Sequence, residues 1–162
     1  MANGDPSSVT IIESVVPPAY IVELRPTDAE VPGITYPDLG QLPGGHGIPG
    51  ESEQATAERE LREELVGLNF VHPPELLWSQ VTESREGAVP VDRRVSLFGA
   101  VVSTAAGVKL NPDNPKLRGD VLIIPKNEQQ LEAHKGRLTP FAYAALKHHL
   151  SGASWEGWDP KK

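Results

Sequence analysis

The sequence predicts an α/β fold, a mixed β-sheet with helices on both faces, and two observations carry it. Runs rich in valine and isoleucine at 9–16, 19–25, 76–84, 91–103 and 119–125 have the composition of strands. Segments 53–65 and 140–150 have the composition of helices, one between those strands and one after them. Strands on either side of one helix, closed by a terminal helix, suit a layered sheet domain. The 162 residues suit one domain. They divide into a polar, flexible start at 1–8, a single domain at 9–150 and a tail at 151–162.

In chain order, Pro17-Pro18 separates the first two strands, and 26–38 reads as a loop holding Pro26, Pro32 and Pro37. Leu39 to Leu42 ends a short strand, after which Pro43-Gly44-Gly45 turns the chain sharply. Pro49-Gly50 makes a second turn, and Ser52 is a suitable N-cap for the helix that follows. Ala57, Leu61 and Leu65 recur every four residues and form its apolar stripe. Glu60, Glu63 and Glu64 stand at i, i+3 and i+4, so they share a face at the rim of whatever the helix packs against. A Glu86-Gly87 turn joins the next two strands. The stretch 103–118 reads as a long loop with Lys109, Lys116 and Arg118 leading to Asp120. Like-charged side chains so placed repel, and a hard divalent cation relieves that conflict. A solvated charged face is the bland reading of the same glutamates.

Gly45 is followed by Glu51, then by Arg59, Glu60, Leu61, Arg62, Glu63, Glu64 and, after Leu65 and Val66, by Gly67 and Leu68. This order and spacing resembles the Nudix box, with one extra residue before Gly67. The resemblance implies a Nudix-type α/β/α sandwich with a mixed β-sheet. It also implies a magnesium-dependent hydrolase, with manganese as the alternative cation, that cleaves the pyrophosphate linkage of a nucleoside diphosphate derivative. Carried over by position, it assigns Glu60, Glu63 and Glu64 to metal binding, with the main-chain carbonyl of Gly45. It pairs Glu51 with Arg59 to orient the acidic face. A continuous helix would hold those two about 12 Å apart, so the chain before Ser52 has to fold back. All the ligand positions precede the extra residue, so Val66 is expected to extend a tolerant helix end capped near Gly67.

The same resemblance makes Asp120 the candidate distal acid, with Glu83 and Glu86 as rivals. Gly-Asp turn chemistry is the plain alternative. Arg93, Arg94 and His46 are candidate substrate contacts, and alternation sends Arg93 and Arg94 to opposite faces of their strand. Trp78 reads as core, while Tyr36 is a looser candidate for stacking on a base. Trp155 and Trp158 dock on their own chain or form a homodimer contact. The alternative function is a catalytically silent nucleotide-binding module on the same fold.

A net charge of −7 argues against general binding to nucleic-acid backbones, but a bound cation can invert the field for a small phosphate ligand. The chain contains no cysteine, which excludes disulfides, thiolate nucleophiles and zinc–thiolate sites. The start MANGDPSS lacks the pattern of a leader, and no apolar run approaches the ~20 residues of a membrane span. The cytoplasm is the expected compartment.

Overall fold

A computed structural model of the chain describes residues 2–3, 7–24, 39–86, 89–114 and 120–161, without the side chains of 2–3, 82–86 and 89–93. Its elements in order are β1 (Ala2–Asn3), β2 (Ser7–Val16), β3 (Ala19–Leu24), β4 (Gly40–Gln41), β5 (Gly44–His46) and α1 (Glu53–Glu64). These are followed by β6 (Leu65–Val66), β7 (Phe70–Glu86), β8 (Val89–Thr104), β9 (Lys109–Leu110) and β10 (Val121–Pro125). The chain then forms α2 (Glu128–Ala133), a 3-10 turn (Lys135–Arg137) and α3 (Pro140–Ser151).

The main sheet runs β1-β8-β2-β3-β10, with β7 alongside β8 and the short β5 and β4 on β2 and β3. It is mixed. β2 lies parallel to β8, while β3 runs antiparallel to both β2 and β10, and β7 is antiparallel to β8. Alternation along the strands sorts the core into two layers. Ile12, Ile21 and Val102 face Leu61 and Leu65 at the α1 side. Ile11, Tyr20, Val22 and Leu97 face Ala142, Ala145 and Leu146 of α3 on the other. α1 therefore covers one face of a mixed sheet and α3 the other, the architecture the sequence predicts.

Four differences separate the structure from the sequence reading, and long-range pairing accounts for the first three. Ser7 and Ser8 belong to β2, and Ala2–Asn3 pairs with Val91 and Asp92 of β8, where the sequence suggests a flexible start. The helix stops at Glu64, and Leu65 takes extended backbone (φ −128°, ψ 145°). Leu65 and Val66 then pair with Leu110 and Lys109, so the extra residue does not lengthen the helix. It forms a two-residue strand, because β9 offers hydrogen-bonding partners that a further helical turn would forgo. Gly67 follows at φ +84°, and a Cβ there would stand 2.2 Å from the carbonyl oxygen of Gly107. The long loop is thus divided by β9. Finally, α2 is a helix the sequence reading lacks, capped by Asn127, whose side chain accepts from the Gln130 amide at 2.8 Å. Tyr36, Gly87, Lys116, Arg118, the loop 26–38 and the side chains of Glu83, Glu86 and Arg93 lie outside the described residues.

Candidate active site

The site forms where α1 crosses the sheet beside β5. Pro43 accepts a hydrogen bond from the Thr10 amide at 2.9 Å, which seats the glycine turn on β2. Ser52 caps α1, accepting from the Ala55 amide at 3.1 Å. Glu51 precedes the cap in a turn closed by its own amide to the Ile48 carbonyl, 3.1 Å. That turn folds the chain back far enough for a fork-to-fork ion pair. Arg59 Nε donates to Glu51 Oε2 at 2.8 Å and Arg59 Nη2 to Glu51 Oε1 at 3.0 Å. Thr56 Oγ1 donates to the same carboxylate at 2.7 Å. Bidentate arginine–carboxylate pairs fix geometry as well as charge.

Arg59 also reaches forward. Its Nη1 donates to Glu60 Oε1 at 3.1 Å and to both oxygens of Glu63 at 3.2 Å, and its Nη2 donates to the His46 carbonyl at 2.9 Å. The guanidinium therefore gathers Glu51, Glu60, Glu63 and β5 around one centre. The electrostatic consequences diverge. Hydrogen bonds from Arg59 and Thr56 hold the Glu51 carboxyl down to about 2, and Glu51 in turn raises Arg59. Burial pushes Glu60 up against the opposing pull of Arg59.

Glu64 is only 8% exposed, and its Oε2 accepts from the Gly44 amide at 3.0 Å. Burial raises its carboxyl strongly, and Glu23 raises it further. Glu23, 4% exposed at the end of β3, shares a side-chain hydrogen bond with Glu64. Two neighbouring buried acids cannot both ionise without a counter-charge. Gly45 completes the arrangement. A Cβ there would lie 2.7 Å from the Glu60 carboxylate, so glycine lets that group rest against the main chain.

The candidate residues thus separate by place. Glu60, Glu64 and Gly45 converge, while Glu63, half exposed, joins them through Arg59. His46 contributes its carbonyl, and its ring Nδ1 lies 3.1 Å from Ser7 Oγ. Asp120 is exposed. Its Oδ1 accepts from the Val121 amide at 2.8 Å and its carbonyl from the Leu24 amide at 2.9 Å, which sets it one step along the ladder from Glu23. Arg94, half exposed, pairs with Glu53 at 3.4 Å and donates to Ser79 Oγ at 3.1 Å. Sequence reasoning missed Glu23, Thr56 and the Gly44 amide. Glu23 left one signal: an acid in an otherwise apolar strand, two residues from the buried Ile21 and on its face.

Among the described residues no three acidic or histidine side chains form a ready-made metal cage. The donors still suit a hard cation. Magnesium keeps water and substrate oxygens in its shell and takes only one or two carboxylates from the protein. Glu60, Glu64 and the Gly45 carbonyl supply that kind of set, and the buried acids call for positive charge.

No family model matches the sequence, and no curated protein matches it. Solved structures do. The chain is similar to the MutT protein of Methanosarcina mazei Go1, with TM-score 0.62 and 18% identity over 93% of this chain and 95% of that one. It is similar to the NUDIX domain of Shewanella oneidensis NrtR, solved with ADP ribose, with TM-score 0.65 and 16% identity over 94% and 90%. A C. elegans Ap4A hydrolase matches with TM-score 0.59 and 15% identity over 93% and 100%. The chain has the Nudix fold.

Proposed function

We infer that this Nudix-fold chain is a pyrophosphohydrolase that uses a divalent cation, magnesium or manganese, to cleave a nucleoside diphosphate derivative. The observation that carries this reading is the Arg59-centred cluster. One guanidinium holds Glu51, Glu60 and Glu63 around a glycine turn, with Glu64 buried beside them. So much organised charge on one helix face is costly unless it serves a cation and a phosphate. Glu60, Glu64 and the Gly45 carbonyl would hold the cation, with Glu63 beside them. When bound, it would stabilise charge on the oxygens of the phosphoanhydride.

The chain's own residues do the rest. Arg59 and Glu51 fix the pitch of the acidic face, and Thr56 locks Glu51 from the helix side. In the reaction, water adds to one phosphorus, the bridging P–O bond breaks with its electron pair going to the leaving phosphate, and the water proton passes to a carboxylate. Asp120 stands near the Glu23 end of the site as the candidate distal acid. A silent binding module on the same fold would have no need of this intact constellation.

The reading is tested by incubating the protein with magnesium and a panel of nucleoside triphosphates, dinucleotides and nucleotide sugars, resolving products by chromatography. We expect cleavage between phosphates, yielding a nucleoside monophosphate or pyrophosphate. Tight binding of panel members without turnover would favour the silent module.

A further inference from the structure

The last segment of the chain folds back on its own body. Trp78 Nε1 on β7 donates to the Trp158 carbonyl at 3.1 Å, and the Trp78 and Trp158 rings meet edge to face at 4.9 Å. Trp155 meets Trp158 edge-on at 4.9 Å, and His148 Nε2 of α3 donates to the Ser154 carbonyl at 2.8 Å. The tail tryptophans therefore dock in cis, and the residues after them are held beside α3.

A cavity of about 800 Å³ opens there, between α3, the 3-10 turn and the tail 157–161. Its volume lies within the range of small-molecule sites. α3 turns Ala142, Ala145 and Leu146 into the core. Pro140, Ala144, Lys147 and Ser151 recur every three or four residues and form the helix stripe that lines the cavity, with Tyr143 beside it. The site is on the α3 side of the sheet, away from the acids of α1.

The charge of this lining runs against that of the chain. The sequence carries −7, yet the cavity gathers Lys135, Lys147 and Lys161 against one carboxylate, Asp159. Lys135 comes from the 3-10 turn and Lys147 from α3, and their ammonium groups stand 5.0 and 5.6 Å from the centroid of the same Tyr143 ring. Glu132 pairs with Lys147 at 3.8 Å and accepts from the Tyr143 hydroxyl. Asp159 Oδ1 accepts from the Lys161 amide at 2.9 Å, a turn that fixes the base of that side chain at the cavity wall. Among the described residues no carboxylate pairs with the ammonium of Lys135 or of Lys161. Cations gathered in a cleft with low-dielectric walls focus their field and concentrate anions. Leu138, Pro140 and Ala144 supply the apolar wall. Two uncommitted ammonium groups match the double charge of a phosphate monoester, and the apolar wall matches an organic body attached to it.

We propose that this cavity binds an organic phosphate monoester, with Lys135 and Lys161 taking the phosphate and Leu138, Pro140 and Ala144 covering its carbon body. The site is separate from the acidic face of α1 and does not depend on hydrolysis there.

The experiment titrates the isotope-labelled full chain, without divalent cation, with AMP, adenosine and inorganic phosphate, and follows each backbone amide by NMR. AMP should shift the amides of Lys135, Lys147, Ser151 and Lys161 saturably. Read at those amides, adenosine should bind about tenfold or more weakly, the scale of one hydrogen bond to a charged group. Inorganic phosphate should also bind more weakly than AMP, because the apolar wall then covers nothing. Lys161→Glu and Lys135→Glu should each weaken AMP by about tenfold or more, on the same scale. Lys161 is exposed near the end of the tail, so its replacement leaves the core in place, and unchanged amide shifts away from the cavity check this. No response to AMP, or shifts confined to 53–64, would overturn the proposal. So would adenosine or inorganic phosphate binding as tightly as AMP, or wild-type affinity in Lys161→Glu. AMP holds no phosphoanhydride, so the outcome stands apart from the hydrolase reading.

Discussion

Glu51 and Glu64 lie one helix apart and meet opposite electrostatic fates, and the residue scale explains the candidate site best. Arg59 and Thr56 hold Glu51 down to about 2, whereas burial and Glu23 push Glu64 up. A carboxyl whose folded pKa is depressed contributes stability that is complete above its ordinary range near 4.5 and is lost as pH falls toward about 2. Thermal melts of wild type and Glu51→Gln between pH 6 and pH 2.5 test this. The gap between the two should be widest near pH 6 and close as acid is added, and parallel curves would show that the ion pair does not couple to folding. The acidic run, Arg59 and the cap at Ser52 were legible because helix spacing brings i, i+3 and i+4 together locally. Glu23 was not, because the packing of α1 on the sheet that sets it beside Glu64 joins positions far apart in the chain.

Elements of five residues or more outside α2 were legible, as was the short β4 within 39–42, and the other short strands were not, for one physical reason. The runs that became β2, β3, β7, β8 and β10 carry their own apolar composition, and α1 and α3 carry helix formers. By contrast β5, β6 and β9 span two or three residues each, and pairing partners alone define them. The six residues of α2 hold only one buried side chain, Leu131, too little to produce a period. The same reasoning corrects the role of Val66, which the helix pattern places at a tolerant end and the structure places in β6. Gly67 then becomes the sensitive position, combining φ +84° with a close approach to the Gly107 carbonyl. Gly67→Ala should destabilise the protein by at least about 1–3 kcal/mol, the cost of a residue held in a disfavoured backbone region. Urea denaturation measures it. A shift below a few tenths of a kcal/mol would mean that β6 and β9 separate readily.

The whole molecule links these scales through the placement of α1. Its first turn is tied to β8 by Glu53 and Ser96, and its last turn is tied to β5 by Glu64 and the Gly44 amide. The helix therefore cannot tilt without breaking contacts at both ends. Buried acids in this rigid seat disfavour the cation-free fold, and a cation that binds only the folded state stabilises it by mass action. Magnesium should therefore raise the melting temperature of the wild type, by about 2.7 kcal/mol of stability at a hundredfold excess over its Kd. It should do so far less for Glu60→Gln. Equal shifts in both proteins would place the cation elsewhere.

The central claim is that the acidic face of α1 hydrolyses a phosphoanhydride, and the most direct test is kcat/KM of Glu64→Gln against wild type. It is measured on the best substrate of the panel at saturating magnesium, with folding checked by circular dichroism. Glutamine keeps the shape of Glu64 and can still accept from the Gly44 amide, so the fold should persist. We predict a loss of about 100-fold or more in kcat/KM, the scale on which removing one electrostatic contact to a transition state acts. A folded Glu64→Gln protein with wild-type kcat/KM would contradict the account.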